Sequence, residues 1–341
     1  MRVLLTGSGG YLGSLLAPEL LRRGHDVVGL DTGFYRERSL YRSGDPAPST
    51  LAQDVRRIQS KDLIGIDAVV HMGELSNDPA GQLSPSITYE INHHGSVRLA
   101  RLAREAGVSR FIYTSSCSVY GIAAKDFVDE TSPVNPQTAY GICKALVERD
   151  LKQLAHPDFC VTILRNATAY GASPGMRFDI VLNNLAGLAW VTGEISMTSD
   201  GTPWRPLVHA LDICQAVALV LEAPAEAVHN ETFNVGDTGH NYRVRDIAAV
   251  VAEVFSGCEV SFGAPSADNR SYRVSFDKIR KHLPEFRCRW DARMGASQLF
   301  DLFRKIDMKR EDFEFRTFTR LKQLQHLLHT KQIDDHFFWM Q

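Results

Sequence analysis

Near its start the chain reads Val3-Leu4-Leu5-Thr6-Gly7-Ser8-Gly9-Gly10-Tyr11-Leu12-Gly13. The apolar run predicts a buried strand, and leucines at helical spacing after the glycines predict a helix. Between the two, Gly7, Gly10 and Gly13 form a GxxGxxG pattern. Glycines in such a turn let the backbone approach a diphosphate at the N-terminus of the helix. The stretch therefore predicts a dinucleotide-binding turn that joins a strand to a helix.

A second strand is predicted over 26–30, and Asp31 follows at its end. An acidic residue at this place binds the ribose hydroxyls of the adenosine in dinucleotide sites. Because a carboxylate repels a 2′-phosphate, Asp31 favours NAD over NADP. Arg36 and Arg38 lie close by in the sequence and keep NADP as the alternative.

Strands and helices alternate through the rest of the N-terminal half. Apolar strands are predicted over 68–70 and 110–114, with a helix over 88–106 between them. This alternation predicts an α/β fold with a doubly wound parallel sheet that binds ligands at the carboxyl ends of its strands. The glycine turn, Met72-Gly73 and Ser116 all follow such ends, so we expect them to share one site.

Tyr140 and Lys144 are four residues apart and therefore lie on one face of a predicted helix. An ammonium close to a phenol favours the phenolate, so we expect the pKa of Tyr140 to lie below the usual value of about 10. A tyrosine of this kind can exchange a proton with a sugar hydroxyl or carbonyl. Ser116 is the expected companion of this pair.

The composition excludes several other classes of protein. The formal net charge of the 341 residues is -2, which argues against a nucleic-acid or membrane-surface binder. No apolar run approaches the roughly 18 residues of a membrane span. The six cysteines are scattered without CxxC spacing, so we expect reduced thiols, no metal site and a cytoplasmic location.

Taken together, these motifs resemble those of the extended short-chain dehydrogenase/reductases, specifically the nucleotide-sugar epimerase/dehydratase family of proteins like UDP-glucose 4-epimerase. The resemblance covers roughly residues 1–300. It also rests on His71-Met72-Gly73, on Ser115-Ser116 with Val119-Tyr120-Gly121, on Leu164-Arg165 and on Arg205-Pro206-Leu207-Val208-His209.

The resemblance implies a Rossmann-type doubly wound parallel sheet with a smaller α/β C-terminal substrate lobe. The NAD-binding domain is expected over 1–165, with 207–232 returning to it. The substrate lobe is expected over 166–206 and 233–309, and a helical extension over 310–341.

The helical extension is predicted from apolar residues at helical spacing between Phe318 and Leu328. This amphipathic helix can pack on its own chain or help to form a dimer, and the sequence leaves both open. The resemblance favours a homodimer made by helices around 88–106 and 136–155.

The family also implies roles for individual residues. Tyr140 is expected to act as acid/base, Lys144 to hold the nicotinamide ribose, and Ser116 to bind the reacting sugar oxygen. The resemblance places the NAD cofactor against Gly7, Gly10, Tyr11, Leu12, Gly13, Asp31, Asp54, Val55, Met72, Gly73, Asn92, Thr114, Tyr140 and Lys144. It places a nucleotide-diphosphate sugar against Ser116, Cys117, Ser118, Thr168, Asn184, Arg205 and Arg270.

The chemistry within the family depends on the two residues after the catalytic Ser. In its 4,6-dehydratases these are Asp and Glu, and here they are Cys117 and Ser118. Without a carboxylate base we do not expect a 4,6-dehydratase. Two reactions remain open: NAD-dependent epimerisation through a transient 4-keto sugar, and NAD(P)H-dependent reduction of a nucleotide-linked ketosugar. Cys117 is interpreted as a buried structural thiol, with a catalytic thiol as the alternative.

Three departures from the family pattern concern the sugar and the nucleotide. Thr168 stands where an Asn usually contacts the substrate, and Glu74 stands where a small residue is common. The second diphosphate arginine is missing from its usual place, and Arg270 or Arg273 could replace it.

Overall fold

The computed structural model describes residues 1–122, 126–197, 199–264 and 271–340. Its centre is a seven-stranded sheet in which every neighbouring pair of strands is parallel. The strands of the described chain are β1 Arg2–Thr6, β2 Asp26–Asp31, β3 Ser49–Ala52, β4 Ala68–His71, β5 Arg110–Ser116, β6 Phe127–Val128, β7 Cys160–Asn166, β8 Thr168–Tyr170, β9 Glu194–Ser196, β10 Trp204–His209, β11 Glu231–Val235, β12 Asn241–Arg243, β13 Glu259–Ser261 and β14 Arg273–Val274.

The strand order β11-β7-β5-β4-β1-β2-β3 confirms the predicted doubly wound sheet. The chain leaves β1 in one direction to build β2 and β3, and returns on the other side to build β4. Ligands bind at such a reversal, outside the carboxyl ends of the strands. Alternate residues of β1 belong to different apolar cores, with Val3 and Leu5 in one and Leu4 in the other. Both faces of the sheet are therefore covered.

The helices connect these strands and cover the sheet. They are α1 Gly13–Arg22, α2 Asp78–Leu83, α3 Pro85–Thr88, α4 Ser96–Glu105, α5 Ala139–Leu154, α6 Val181–Thr192, α7 Ala210–Glu222, α8 Ala225–Val228, α9 Val244–Val254, α10 Asp277–His282, α11 Ala292–Lys305, α12 Arg310–Glu314 and α13 Arg320–His329. Short 3₁₀ turns occupy Val55–Arg57, Ser60–Leu63, Cys117–Tyr120, Thr238–His240 and Arg316–Phe318.

The segment predicted as one helix over 88–106 is helical as far as Glu105, but Tyr89–Gly95 within it is a π-helix between α3 and α4. The Asn92 amide is bonded to the backbone N–H and carbonyl of Leu75, at 2.9 Å each. Ser96 donates to the Asn92 carbonyl at 2.6 Å. These side-chain hydrogen bonds lie within the π-helix, whose turns are wider than those of an α-helix. Such π-helical turns are common near functional sites. The homodimer predicted through this region stays a prediction.

The smaller C-terminal lobe packs α6, α9 and α11 around a third apolar core. Its sheets are small: β12-β10-β8, β13-β9 and β14-β6. The chain then returns to the main sheet through β11, which pairs with β7 as far as Val235. The domain boundaries given above stay a prediction, and β11 continues past residue 232.

The C-terminal extension packs on its own chain, which was one of the two possibilities left open by the sequence. Leu324, Leu327, Ile333 and Phe337 are buried in the same apolar core as Leu4 of the central sheet. Among the described helices, none is both long and apolar enough to cross a membrane. Within the described ranges, no group of three or more His, Cys, Asp or Glu residues could hold a metal ion.

Candidate active site

One cavity of about 510 Å³ opens at the carboxyl ends of the central strands, where the sheet order reverses. It brings together most of the residues that the sequence assigned to a site. Those that line it are Gly7, Gly10, Tyr11, Leu12, Gly13, Asp31, Asp54, Val55, Met72, Gly73, Thr114, Ser116, Ser118, Tyr140, Lys144, Thr168 and Arg205.

The glycine turn closes one wall of this cavity and has no room for side chains. Gly7 has φ of +73°, a left-handed conformation that favours glycine, and its N–H donates to the Leu30 carbonyl at 2.7 Å. A Cβ on Gly13 would lie 2.1 Å from the Gly7 oxygen. The N-terminus of α1 is therefore open to an anion, as the sequence predicted.

The acidic residues expected at the adenosine end are held by the backbone. The Asp31 carboxylate accepts from the Gly9 N–H at 3.0 Å and from the Gly33 N–H at 2.7 Å. Asp54 caps a 3₁₀ turn and accepts from two nitrogens of the Arg56 guanidinium, at 3.0 and 2.8 Å. Both carboxylates are thus in fixed positions on the wall of the cavity.

Tyr140 and Lys144 lie in the first turns of α5, which Thr138 caps by accepting from the Gly141 N–H at 3.2 Å. The Lys144 ammonium is 5.7 Å from the centre of the Tyr140 ring and donates to the Thr114 carbonyl at 2.5 Å. Ser116, at the end of β5, lines the same cavity, and its hydroxyl contributes to lowering the pKa of Tyr140. The structure therefore brings Ser116, Tyr140 and Lys144 together at one end of the cavity.

Glu74 is a member of this group that the sequence analysis noticed only as a departure. Its side chain is 1% exposed, and its carboxylate pairs with the Lys144 ammonium at 2.5 Å. The same carboxylate accepts hydrogen bonds from the Tyr113 hydroxyl at 2.8 Å and the Ser96 hydroxyl at 3.1 Å. The signal in the sequence was a charged residue directly after a buried strand.

The pKa expected for Tyr140 was wrong in direction. Burial raises the pKa of Tyr140 above its usual value, and the nearby Lys144 ammonium lowers it only in part. The Glu74 carboxylate raises the pKa of Tyr140 further, because a negative charge disfavours the phenolate. The same carboxylate contributes to a raised pKa of Lys144 and so keeps its ammonium charged.

The adjoining end of the cavity, next to Ser116, is formed in part by side chains of the smaller lobe. Thr168 lies on β8 and Arg205 on the neighbouring strand β10, and both line the cavity with Ser118. The Arg205 guanidinium lies 5.9 Å from the centre of the Tyr272 ring. This end therefore combines hydroxyl groups with a cation, as binding of a phosphorylated sugar requires.

Four predicted site residues are not placed in the cavity. The Cys117 thiol is buried and donates to the Arg165 carbonyl at 3.3 Å, and burial raises its pKa, as expected of a structural thiol. The Asn92 amide is used by Leu75. The Asn184 amide donates to the Phe178 carbonyl at 2.9 Å near the start of α6. Arg270 lies outside the described residues.

The cavity also contains residues that sequence reasoning missed. Arg177, Asp179 and Arg320 line it, together with Phe34 and Tyr35. Arg177 and Asp179 precede α6, which begins at Val181. No motif marked these residues.

The shape and chemistry of the cavity fit a dinucleotide. The N-terminus of α1 has no side-chain cap, so its backbone N–H groups can bind a diphosphate. Asp31 stands at one end for ribose hydroxyls, and Lys144 stands at the other. The residues present are therefore those that such a cofactor needs.

Comparisons with known proteins agree with this geometry. Residues 3–236 match the model of the NAD dependent epimerase/dehydratase family. The chain is 26% identical over 336 residues to the UDP-glucose 4-epimerase of Bacillus subtilis (strain 168), covering 88% of this chain and 94% of that protein. It is 30% identical over 288 residues to the UDP-glucose 4-epimerase of Erwinia amylovora, covering 75% and 84%.

Among solved structures, MoeE5 in complex with UDP-glucuronic acid and NAD is similar to this chain with a TM-score of 0.78. The two are 26% identical, and the match covers 89% of this chain and 99% of that one. The family match covers well over half of the chain and agrees with the cavity in fold and in cofactor chemistry. The chain therefore belongs to the NAD-dependent epimerase/dehydratase family, and it is an enzyme with NAD as its cofactor.

Proposed function

We propose that the protein epimerises a nucleotide-diphosphate sugar at C4 through a transient 4-keto sugar. The observation that carries this proposal is the convergence of Ser116, Tyr140 and Lys144 in one cavity, next to residues 117 and 118 that offer no carboxylate. The similarity to UDP-glucose 4-epimerases supports the same reaction.

Each residue of this group has a separate role in the proposed reaction. Tyr140 takes the proton of the C4 hydroxyl and later returns it, because its phenol lies between Ser116 and Lys144. Ser116 hydrogen-bonds the sugar oxygen and orients it toward Tyr140. Bound NAD supplies reversible hydride exchange at C4, and the charge of its oxidised form favours the phenolate.

Binding of the substrate is assigned to the other end of the cavity. Arg205 presents a guanidinium suited to two phosphate oxygens, and Ser118 and Thr168 present hydroxyl groups to the sugar. In an epimerase the 4-keto sugar must turn within the site, so that hydride can return to its opposite face. The nucleotide part of the substrate therefore has to stay anchored while the sugar turns.

The test is incubation of the purified protein with UDP-glucose, UDP-galactose or UDP-glucuronic acid, followed by proton NMR of the anomeric region. We expect each active pair of C4 epimers to reach the same mixture from either side without added reductant. Tyr140→Phe should abolish the conversion. Stoichiometric consumption of NADH or NADPH with a ketosugar, and no interconversion, would identify the ketoreductase instead.

A further inference from the structure

Two arginines from distant parts of the chain meet in the cavity. Arg177 lies in the loop before α6, and Arg320 is the first residue of α13 in the C-terminal extension. Both line the cavity, yet they are only 8% and 3% exposed. Neither belongs to the catalytic group or to the predicted substrate contacts, so the described function leaves them without a role.

The two arginines share one nearby carboxylate, which Arg177 reaches with its guanidinium and Arg320 with its backbone. Asp179 accepts from Arg177 Nε at 2.8 Å and from the backbone N–H of Arg320 at 3.0 Å. The Arg320 guanidinium donates to the carbonyls of Thr317 and Gly175, at 3.1 and 3.4 Å. Arg177 Nη2 is buried and has no hydrogen-bond partner among the described residues.

A buried donor without a hydrogen-bond partner lowers the stability of the fold, and the like charge of the neighbouring Arg320 lowers it further. Burial and the neighbouring Arg177 lower the pKa of Arg320 to about 10, although Asp179 and Asp31 oppose this shift. The unmet hydrogen-bonding capacity of Arg177 indicates a missing acceptor, and a guanidinium forms its strongest hydrogen bonds with an anion.

The position of the pair identifies which anion fits. Gly175 packs so closely on the glycine turn that a Cβ there would lie 2.9 Å from the Gly10 oxygen, and Arg320 donates to the Gly175 carbonyl. Arg177 Nη1 reaches the carbonyl of Ser76 at 3.3 Å. The pair therefore lies beside the glycine turn. Arg320 interacts electrostatically with Asp31 at the adenosine end of the cavity, and Arg177 with Tyr140 at its catalytic end.

We propose that Arg177 and Arg320 together bind the diphosphate of NAD, so that the C-terminal extension completes the cofactor site. A guanidinium matches two phosphate oxygens at once, and the pair faces the turn whose N–H groups are open to the same anion. This inference goes beyond the proposed epimerisation and does not depend on it.

Further contacts hold the extension over the adenosine end. Trp339 Nε1 donates to the Thr32 carbonyl at 2.6 Å, next to Asp31. The Phe338 ring lies 3.8 Å from the Arg56 guanidinium, which itself pairs with Asp54. Because these contacts lie beside both acidic residues of the adenosine end, the extension is fixed where it can enclose the cofactor.

The experiment measures release of radiolabelled NAD from the full-length protein after a chase with unlabelled NAD. Arg177→Met and Arg320→Met should each speed release by about 10- to 100-fold, the usual effect of losing a charged hydrogen bond. Arg310→Met is the matched control, because Arg310 lies in the same extension but pairs with the exposed Glu314. Its release rate should equal that of the wild type.

Two further measurements separate this role from the alternatives. The Kd of UDP for the NAD-loaded variants should stay within about twofold of the wild-type value. Weaker UDP binding with an unchanged rate of NAD release would assign the two arginines to the substrate and overturn the proposal. A purely structural role would lower the melting temperature of NAD-free protein and leave NAD release unchanged. If Arg320→Met does not fold, Arg177→Met and Arg320→Lys give the same comparison.

Discussion

The two ends of the cavity are built in different ways. At the cofactor end, the backbone itself makes the site, through the glycine turn, the ends of β1, β2 and β4, and carboxylates held by N–H groups. At the substrate end, side chains from the short strands β8 and β10 of one small sheet project into the cavity. The difference indicates that cofactor binding is a property of the fold, while substrate choice depends on side chains that can change without it.

The largest effect is expected at the point where the two ends meet. Tyr140→Phe should lower kcat by about 10²- to 10⁴-fold, because the proton of the sugar hydroxyl loses its acceptor. NAD content should remain that of the wild type, since the phenol is not part of the glycine turn. Steady-state kinetics and the NAD released on denaturation test both statements. Full activity of the variant would contradict the assigned role.

The next effect concerns the backbone of the cofactor end. Gly13→Ala places a Cβ against the Gly7 oxygen, so we expect a loss of about 1–3 kcal/mol in the free energy of unfolding and much weaker NAD binding. Gly239→Ala is the control, because the nearest neighbour of its Cβ is a side-chain oxygen of Asp237 at 3.3 Å and not a backbone atom. Urea unfolding and NAD titration measure the two quantities. Equal behaviour of the two variants would show that the turn tolerates side chains.

A substitution at the substrate end should weaken substrate binding and leave NAD binding unchanged. Arg205→Met is expected to raise KM for the nucleotide sugar by about 10- to 100-fold and to leave NAD affinity unchanged. Arg243→Met, in the neighbouring strand β12, removes an exposed arginine and should change neither. A parallel loss of NAD affinity in Arg205→Met would mean that the two ends are not separate.

The smallest effect is a shift in pH dependence. Glu74→Gln removes the negative charge that raises the pKa of Tyr140, so that pKa should fall. The limb of kcat that requires the phenolate should then move to lower pH by the same amount. Tyr113→Phe removes a hydrogen bond to the same carboxylate but keeps its charge, and should leave the profile in place. An unchanged pH profile of kcat in Glu74→Gln would show that Glu74 does not affect the pKa of Tyr140 during catalysis.

The cofactor end was largely predictable because its signals are local. Gly7, Gly10 and Gly13 mark a turn by spacing alone, Asp31 follows its strand directly, and helical periodicity brings Tyr140 to Lys144. The parallel sheet followed from the alternation of strands and helices. These features need no knowledge of distant contacts.

The remaining residues could not be found from local patterns. Arg320 meets Arg177 only through the tertiary packing of the C-terminal extension, and nothing near it in sequence indicates a ligand. The amides of Asn92 and Asn184 are used by nearby backbone groups instead of ligands. The net pKa of Tyr140 depends on burial and on Glu74, which spacing on one helix does not include.

The proposal that hydride is recycled within the site is tested most directly by the small molecules released when freshly purified full-length protein is denatured. Mass and absorbance analysis should find about one NAD per chain, because an epimerase needs no exchange of cofactor between turnovers. A site that is empty on purification, and that binds NADH or NADPH readily from solution, would contradict internal recycling and point to the ketoreductase.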